Sequence, residues 1–344
     1  MYNNIVEAEY LKDYVRPVTE EDRNKLPTYS HSKLEVYENC PYRYGLQYEQ
    51  GKRSDETTLA LELGTVCHKV YETASQLWRQ ETVNYNEINY DDLKFLLEYG
   101  DTDEKISGIK DLSKKYFEEW YEPDSEGHTY SWKMGQFDKG LHEYVEGFNY
   151  NGWIPFKEEY DFEFVFNNRA IIHGFIDAIL INAEGDLKCI DFKTSKKLFP
   201  GNKIPTSQQF SIYCMGMLNN FGKLPVQCDY KFILLNQEQN ALTTGFAKRI
   251  VKKLNNVLDN IDKNSENGVF IPSPTPLCFW CSYSSTNPKA VQYKNECEYY
   301  SLWTPTEKKW DVNERFNALD LTNDKHVNKI EDDSKEKKQR KLIF

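Results

Sequence analysis

Two carboxylates and one ammonium, Asp177, Asp191 and Lys193, stand on consecutive apolar runs of this chain. The runs are AIIHGFIDAILI, residues 170–181, and LKCIDFK, residues 187–193, separated by the turn-forming stretch Asn182-Ala183-Glu184-Gly185-Asp186. Strand-length runs around such a stretch predict a β-hairpin. With the turn centred near Glu184, Asp177 falls opposite Asp191, and Lys193, two residues on, shares their face. A slip of one residue would separate them. Charged groups are kept on apolar strands when they are paired or hold a metal, so the trio reads as a candidate site for a hard cation with a basic group beside it. The same residues would also serve as a plain Asp–Lys ion pair at a strand end.

Two further pieces flank the hairpin. Upstream, LELGTVCH, residues 61–68, opens a helical stretch reaching about Gln80, with Gly64 four positions before His68. Downstream, SQQFSIYCMGML, residues 207–218, has helical length and spacing, so Gln209 and Tyr213 lie on one face. Neither piece alone departs from an ordinary helix. In this order, however, the pieces resemble the PD-(D/E)XK nuclease superfamily, in its RecB-like branch, over roughly residues 29 to 300. His68 matches the histidine of the family's G-x-x-x-H, Asp177 the aspartate of G-x-x-D, Asp191 and Lys193 its (D/E)-x-K, and Gln209 with Tyr213 the branch's Q-x-x-x-Y.

The resemblance implies an α/β, restriction-endonuclease-like αββαβα core with a helical insertion at about residues 75–155 and a cysteine-clasped N- and C-terminal region. It implies Mg2+ or Mn2+ held by His68, Asp177, Asp191 and the backbone carbonyl of Phe192, with Lys193 as the catalytic ammonium. Gln209 and Tyr213 would bind the nucleic acid or brace the Asp191 strand. The chemistry suits these residue types. Phosphodiester hydrolysis needs a metal to neutralise charge on the phosphate oxygens and to lower the pKa of the attacking water. Carboxylates are hard ligands for it, and an imidazole widens the choice toward manganese. Lys193 could orient the water or stabilise developing charge while remaining protonated. The implied products carry 5′-phosphate and 3′-hydroxyl ends.

The cysteines form a second constellation. Of eight, Cys278-Phe279-Trp280-Cys281 makes a C-x-x-C bite that clasps metals or clusters, and Cys297 follows in the same aromatic tail. In RecB-like nucleases with an iron–sulfur cluster the remaining ligand lies far upstream, before a proline and an aromatic stretch. Cys40, in Cys40-Pro41-Tyr42-Arg43-Tyr44, fits that description. The resemblance thus implies a [4Fe-4S] cluster on Cys40, Cys278, Cys281 and Cys297, although the interval Ser282 to Glu296 is longer than the family's, and Zn2+ on the same thiolates is the alternative. Cys67, Cys189, Cys214 and Cys228 fall within apolar or helical patterns and read as small buried hydrophobes.

The chain has 344 residues and a formal net charge of −11. That length suits one large domain with an insertion, or two domains. The acidic balance argues against broad non-specific duplex binding, yet Lys33, Arg43, Lys52, Arg53, Lys69, Lys193, Lys196, Lys197 and Lys203 flank the motifs and could line a basic groove. Residues 1–28 read as a loosely attached arm, 29–303 as the nuclease domain and 304–344 as a charged tail. Ser32 with Glu35 predicts a capping box opening the helix that delivers Cys40. Residues 158–167 predict an edge strand, 228–235 another strand, and 246–264 a helix. No G-x-x-x-x-G-K-[ST] phosphate loop occurs, so a helicase motor would come from another chain. No run has the length of a membrane span and no secretory leader opens the chain, which leads us to expect a cytoplasmic protein without disulfides.

The expected function is a metal-dependent DNA exonuclease directed at single strands or ends, in phage or bacterial recombination, repair or DNA processing. Tyr42, Tyr44 and Trp78 would be available for base stacking. The alternatives are a CRISPR-adaptation nuclease that trims precursor DNA, and a non-catalytic DNA-binding module or partner platform. A helicase or recombination protein is an expected partner. The last six residues, Gln339 to Phe344, have the form Q-x-x-L-x-F and resemble a sliding-clamp peptide.

Overall fold

The structure, a computed structural model, describes residues 4–54, 64, 67–68, 71–72, 74–75, 78, 136, 139–141, 143–144, 147–148, 151–195, 197–201, 207–241, 245–287 and 290–297. Its elements are α1 (Asn4–Lys12), β1 (Val15–Arg16), α2 (Glu20–Lys25), β2 (Thr28–Ser30), α3 (His31–Asn39), α4 (Pro41–Tyr44), β3 (Ile154–Phe166), β4 (Ala170–Ile181), β5 (Leu187–Lys193), α5 (Gln208–Phe221), β6 (Gln227–Phe232), β7 (Gln237–Asn240) and α6 (Phe246–Asn267). The chain divides into two units, residues 1–29 with 57–251 and residues 30–56 with 252–344.

The first unit is built on a mixed sheet with strand order β1-β3-β4-β5-β6-β7, and β2 pairs with β4. The expected hairpin is β4–β5. Its register, Ala178 against Ile190 and Ile179 against Cys189, puts Asp177 and Asp191 at the next step. Gly185, at φ 78°, supplies the left-handed residue of the turn. β5 and β6 run parallel, so the chain must cross over between them, and α5 is that crossover. Ser207 caps α5 by accepting from the Phe210 amide at 3.2 Å, and Gly222 at φ 72° ends it. Phe162, Phe164, Ile172, Ile176, Cys189, Phe210 and Met215 are buried between sheet and helix. Each large apolar side chain buried this way contributes roughly 1.5–3 kcal/mol.

Several expectations are corrected. The segment 1–28 is not loosely attached: β1 pairs with β3, Leu11 is fully buried, and Arg16 grips Asp22 through two hydrogen bonds of 2.6 and 2.7 Å. The Glu7 carboxylate accepts from the amides of Gly245 and Ala247 at the start of α6, where an anion is favoured. Its polar composition hid this attachment, because the partners lie far along the chain. The strand expected at 158–167 runs from Ile154 to Phe166 and is covered at its end by β1. The strand expected to reach Leu235 stops at Phe232, and after a turn through Asn236 at φ 49° it returns as β7, whose QEQN sequence has no apolar alternation to announce it.

In the second unit the cap of α3 is Ser30, accepting from the Lys33 amide at 3.1 Å, two residues before the expected Ser32. Cys40 ends α3 and precedes α4, with Pro41 at its first position. α6 extends to Asn267, and its Asn264 donates to the Tyr37 hydroxyl at 2.8 Å. Tyr42 and Tyr44 here, and Trp78 in the first unit, are buried at 9 %, 2 % and 4 % exposure, so none offers a face to a base. Most of the expected insertion at 75–155, all of 304–344 with the Gln339–Phe344 peptide, and Lys69, Lys196 and Lys203 lie outside the described residues. Among the described residues, no helix is long and apolar enough to cross a membrane.

Candidate active site and cysteine cavity

The ladder between β4 and β5 ends where Asp177 and Asp191 meet, because Asp177 turns its carboxylate onto the chain: its Oδ2 accepts from the Phe192 amide at 2.6 Å. His68, on a helical stretch with Gly64, Cys67, Tyr71 and Ala74, sets its ring edge-on to Phe192 at 5.8 Å. Its Nδ1 lies 3.5 Å from Asp177 Oδ2. Tyr71 and Tyr144 pack on the same Phe192 ring, which fixes the backbone between Asp191 and Lys193.

Beside this lies a closed ring of hydrogen bonds. Lys193 Nζ stands 2.5 Å from Asp191 Oδ2 and donates to Gln209 Oε1 at 3.3 Å; Gln209 Nε2 donates to the Tyr213 hydroxyl at 2.9 Å, and Tyr213 donates to Asp191 Oδ1 at 3.2 Å. The four-residue spacing of Gln209 and Tyr213 on α5 places both over the end of β5. Tyr213 is itself seated against Phe162 and Phe210.

Glu159 joins the cluster without having been anticipated. It sits on β3 across from Asp177, with its Oε1 4.0 Å from His68 Nδ1, and His68, Glu159 and Asp177 present ligand atoms all within 4.8 Å of one another. Its backbone is left-handed, at φ 40°, a conformation costing a non-glycine residue on the order of 1 kcal/mol or more. The Glu158-Glu159 pair at the start of an alternating strand was the available signal, and the register with β4 was needed to read it.

The electrostatics fit a cation. Burial, then the neighbouring Asp191 charge, holds the Asp177 carboxyl well above the usual carboxylate range, and burial lowers His68, which favours the neutral, ligating imidazole. Asp191 is 1 % exposed, and its Oδ2 receives no hydrogen bond of ordinary geometry apart from the ion pair with Lys193. Acid oxygens of Asp177 and Glu159 and the His68 imidazole form the donor set of a hard or borderline divalent ion, while Asp191, engaged by Lys193, lies outside that group.

The second unit brings the four selected cysteines to one cavity of about 130 Å³, lined by Cys40, Cys278, Cys281 and Cys297 together with Arg43 and Leu277. Despite the long interval, Cys297 returns: its amide donates to the Tyr283 carbonyl at 2.9 Å, and it bridges with Ser284. Backbone amides of Ser273 and Thr275 point at the sulfurs of Cys40 and Cys278, at 3.5 and 3.2 Å. Burial raises the thiols of Cys278 and Cys281. None of the eight cysteines is in a disulfide, and Cys67, Cys189, Cys214 and Cys228 are buried.

The expected basic groove is largely otherwise engaged. Lys193 is held by Asp191, Lys52 pairs with Glu296 at 2.5 Å, Lys33 and Arg53 stand over the Tyr48 ring, and Arg43 faces the cysteine cavity.

A parallel β5–β6 step inside a mostly antiparallel sheet, with acids at the ends of β4 and β5, defines a restriction-endonuclease-like α/β fold. The model of the PD-(D/E)XK nuclease superfamily matches residues 28–286, and the chain belongs to that superfamily. One component of an ATP-dependent helicase/deoxyribonuclease from Clostridium perfringens (strain SM101 / Type A) is 24% identical over 245 residues, covering 64% of this chain and 20% of that protein. The chain thus spans about a fifth of the length of the curated relative it matches. The crystal structure of SSO0001 aligns at a TM-score of 0.26 and 13% identity, over 71% of this chain and all of that one, a likeness that adds nothing to the assignment.

Proposed function

We propose that the protein is a metal-dependent DNA nuclease that hydrolyses P–O3′ bonds to leave 5′-phosphate and 3′-hydroxyl ends, acting on single strands or free ends. The observation that carries this reading is the convergence of His68 on Asp177 beside the Asp191–Lys193 pair. His68, Asp177, Asp191 and the Phe192 carbonyl would hold Mg2+ or Mn2+, with Glu159 within reach. When bound, the ion supplies a Lewis acid for the phosphate and a lowered pKa for water. Lys193, two residues from the Asp191 ligand, stabilises charge on the phosphoryl oxygens. Gln209 and Tyr213 hold that ammonium and the Asp191 carboxylate in register, so their role is bracing rather than contact with DNA.

The four cysteines around one cavity are read, by the resemblance to cluster-bearing RecB-like nucleases, as ligands of a [4Fe-4S] cluster, with Zn2+ on the same thiolates as the alternative. A helicase is the partner suggested by the Clostridium likeness, in a DNA repair or recombination setting. Gln339–Phe344, by its form alone, is a candidate contact for a sliding clamp.

The test is Mn2+-dependent cleavage of single- and double-stranded DNA by wild type and Asp191→Ala. Loss of a carboxylate that holds the ion should cost on the order of 10²-fold in rate or more. Equal inactivity of both proteins on every DNA form would sink the enzyme reading in favour of a binding module.

A further inference from the structure

We propose that Arg43 is the counter-charge of the four-cysteine centre, holding the metal–thiolate group through its guanidinium. The inference rests on the reading of Cys40, Cys278, Cys281 and Cys297 as metal ligands. Arg43 lines the same cavity as the four thiols, and its charge acts on Cys281 and on Tyr283 beside it. Its Nε is buried and has no hydrogen-bond partner, whereas a buried N–H in a folded protein ordinarily finds one. A guanidinium donates only, in a fixed fork, so what it lacks is an acceptor. Four thiolates around Zn2+, or around an oxidised [4Fe-4S] core, leave a net negative charge, and sulfur accepts hydrogen bonds. Amides of Ser273 and Thr275 already serve Cys40 and Cys278 in this way. Arg43 adds the one full positive charge among the residues lining the cavity. It follows Cys40 by three residues on α4, so the ligand and its counter-charge are delivered by a single turn.

The full chain, purified without oxygen, is compared with Arg43→Gln and Arg43→Lys for metal content, visible spectrum, midpoint potential and rate of metal loss to a chelator. With iron bound, Arg43→Gln should shift the cluster to a lower potential, because the more negative reduced state loses its nearby cation, and Arg43→Lys should recover most of the shift. With either metal, Arg43→Gln should release it roughly tenfold faster or more, the usual scale for an outer residue that supports ligands. Thermal unfolding of the metal-loaded variants checks that each is folded, and Arg43→Lys supplies the comparison if Arg43→Gln is not. A loaded centre whose potential and release rate are the same in all three proteins overturns the role of Arg43 and leaves the four-cysteine reading standing. Wild type that holds neither iron nor zinc overturns both.

Discussion

One acid of the candidate site is held in a state that a cation would relieve. Asp177 is an acid whose folded-state pKa is raised by burial and by Asp191. For such a group the folded protein prefers the proton, so its stabilising contribution is complete below the ordinary carboxylate pKa and is lost as pH rises through the raised value. The metal-free protein should therefore lose stability as pH rises above about 4. A divalent ion reverses that trend by binding only the folded site, adding about 2.7 kcal/mol at one hundred times its dissociation constant. The measurement is the gain in thermal midpoint with Mn2+, expected to be larger at pH 8 than at pH 6; a gain independent of pH would exclude Asp177 as a ligand. Gln209 and Tyr213 belong to the same scale. If they brace Lys193 and Asp191, then Gln209→Leu and Tyr213→Phe lower kcat with KM nearly unchanged, on the order of tenfold each. A rise in KM alone would assign them to the DNA.

At the scale of elements, the site depends on how closely α5 approaches the sheet. Gly216 on α5 has no side chain because the Phe162 ring fills the position a Cβ would take, and that same ring seats Tyr213. Gly216→Ala forces the ring aside. An overpacked core position costs about 1–3 kcal/mol, and the displacement should also weaken the Tyr213–Asp191 bond. Thermal unfolding and kcat should therefore fall together; an unchanged melting temperature would mean that the helix shifts freely. The hairpin β4–β5 was readable because apolar runs and a turn announce it. The strand β7 was not, since its four polar residues gain their order only by pairing with β6.

At the scale of the whole molecule, the covalent chain order says little about who meets whom. Cys40 and Cys297 come from opposite ends of the second unit and line one cavity, with Tyr283 packed against Tyr42 and Leu46 beneath them. Closing so long an interval costs only a few kcal/mol of chain entropy, which a metal bond easily offsets. Cys297→Ser should thus strip most of the metal from protein purified without oxygen, as read by iron and zinc analysis. Retention of a full complement would exclude Cys297 from the ligand set despite its place on the cavity.

Residue types and local spacing alone carried the hairpin, the α5 pair Gln209 and Tyr213, and the cysteine bite, because period and turn chemistry are properties of neighbouring residues. The superfamily pattern could be traced in the same way, from four short motifs in order. Long-range pairing decided the rest: the φ 40° bend that brings Glu159 to His68, the anchoring of residues 1–28 by partners more than 130 residues away, the burial of Tyr42, Tyr44 and Trp78, and the orphan Nε of Arg43. Each of these is set by which surfaces are excluded from water when distant segments pack, and no window of sequence contains that information.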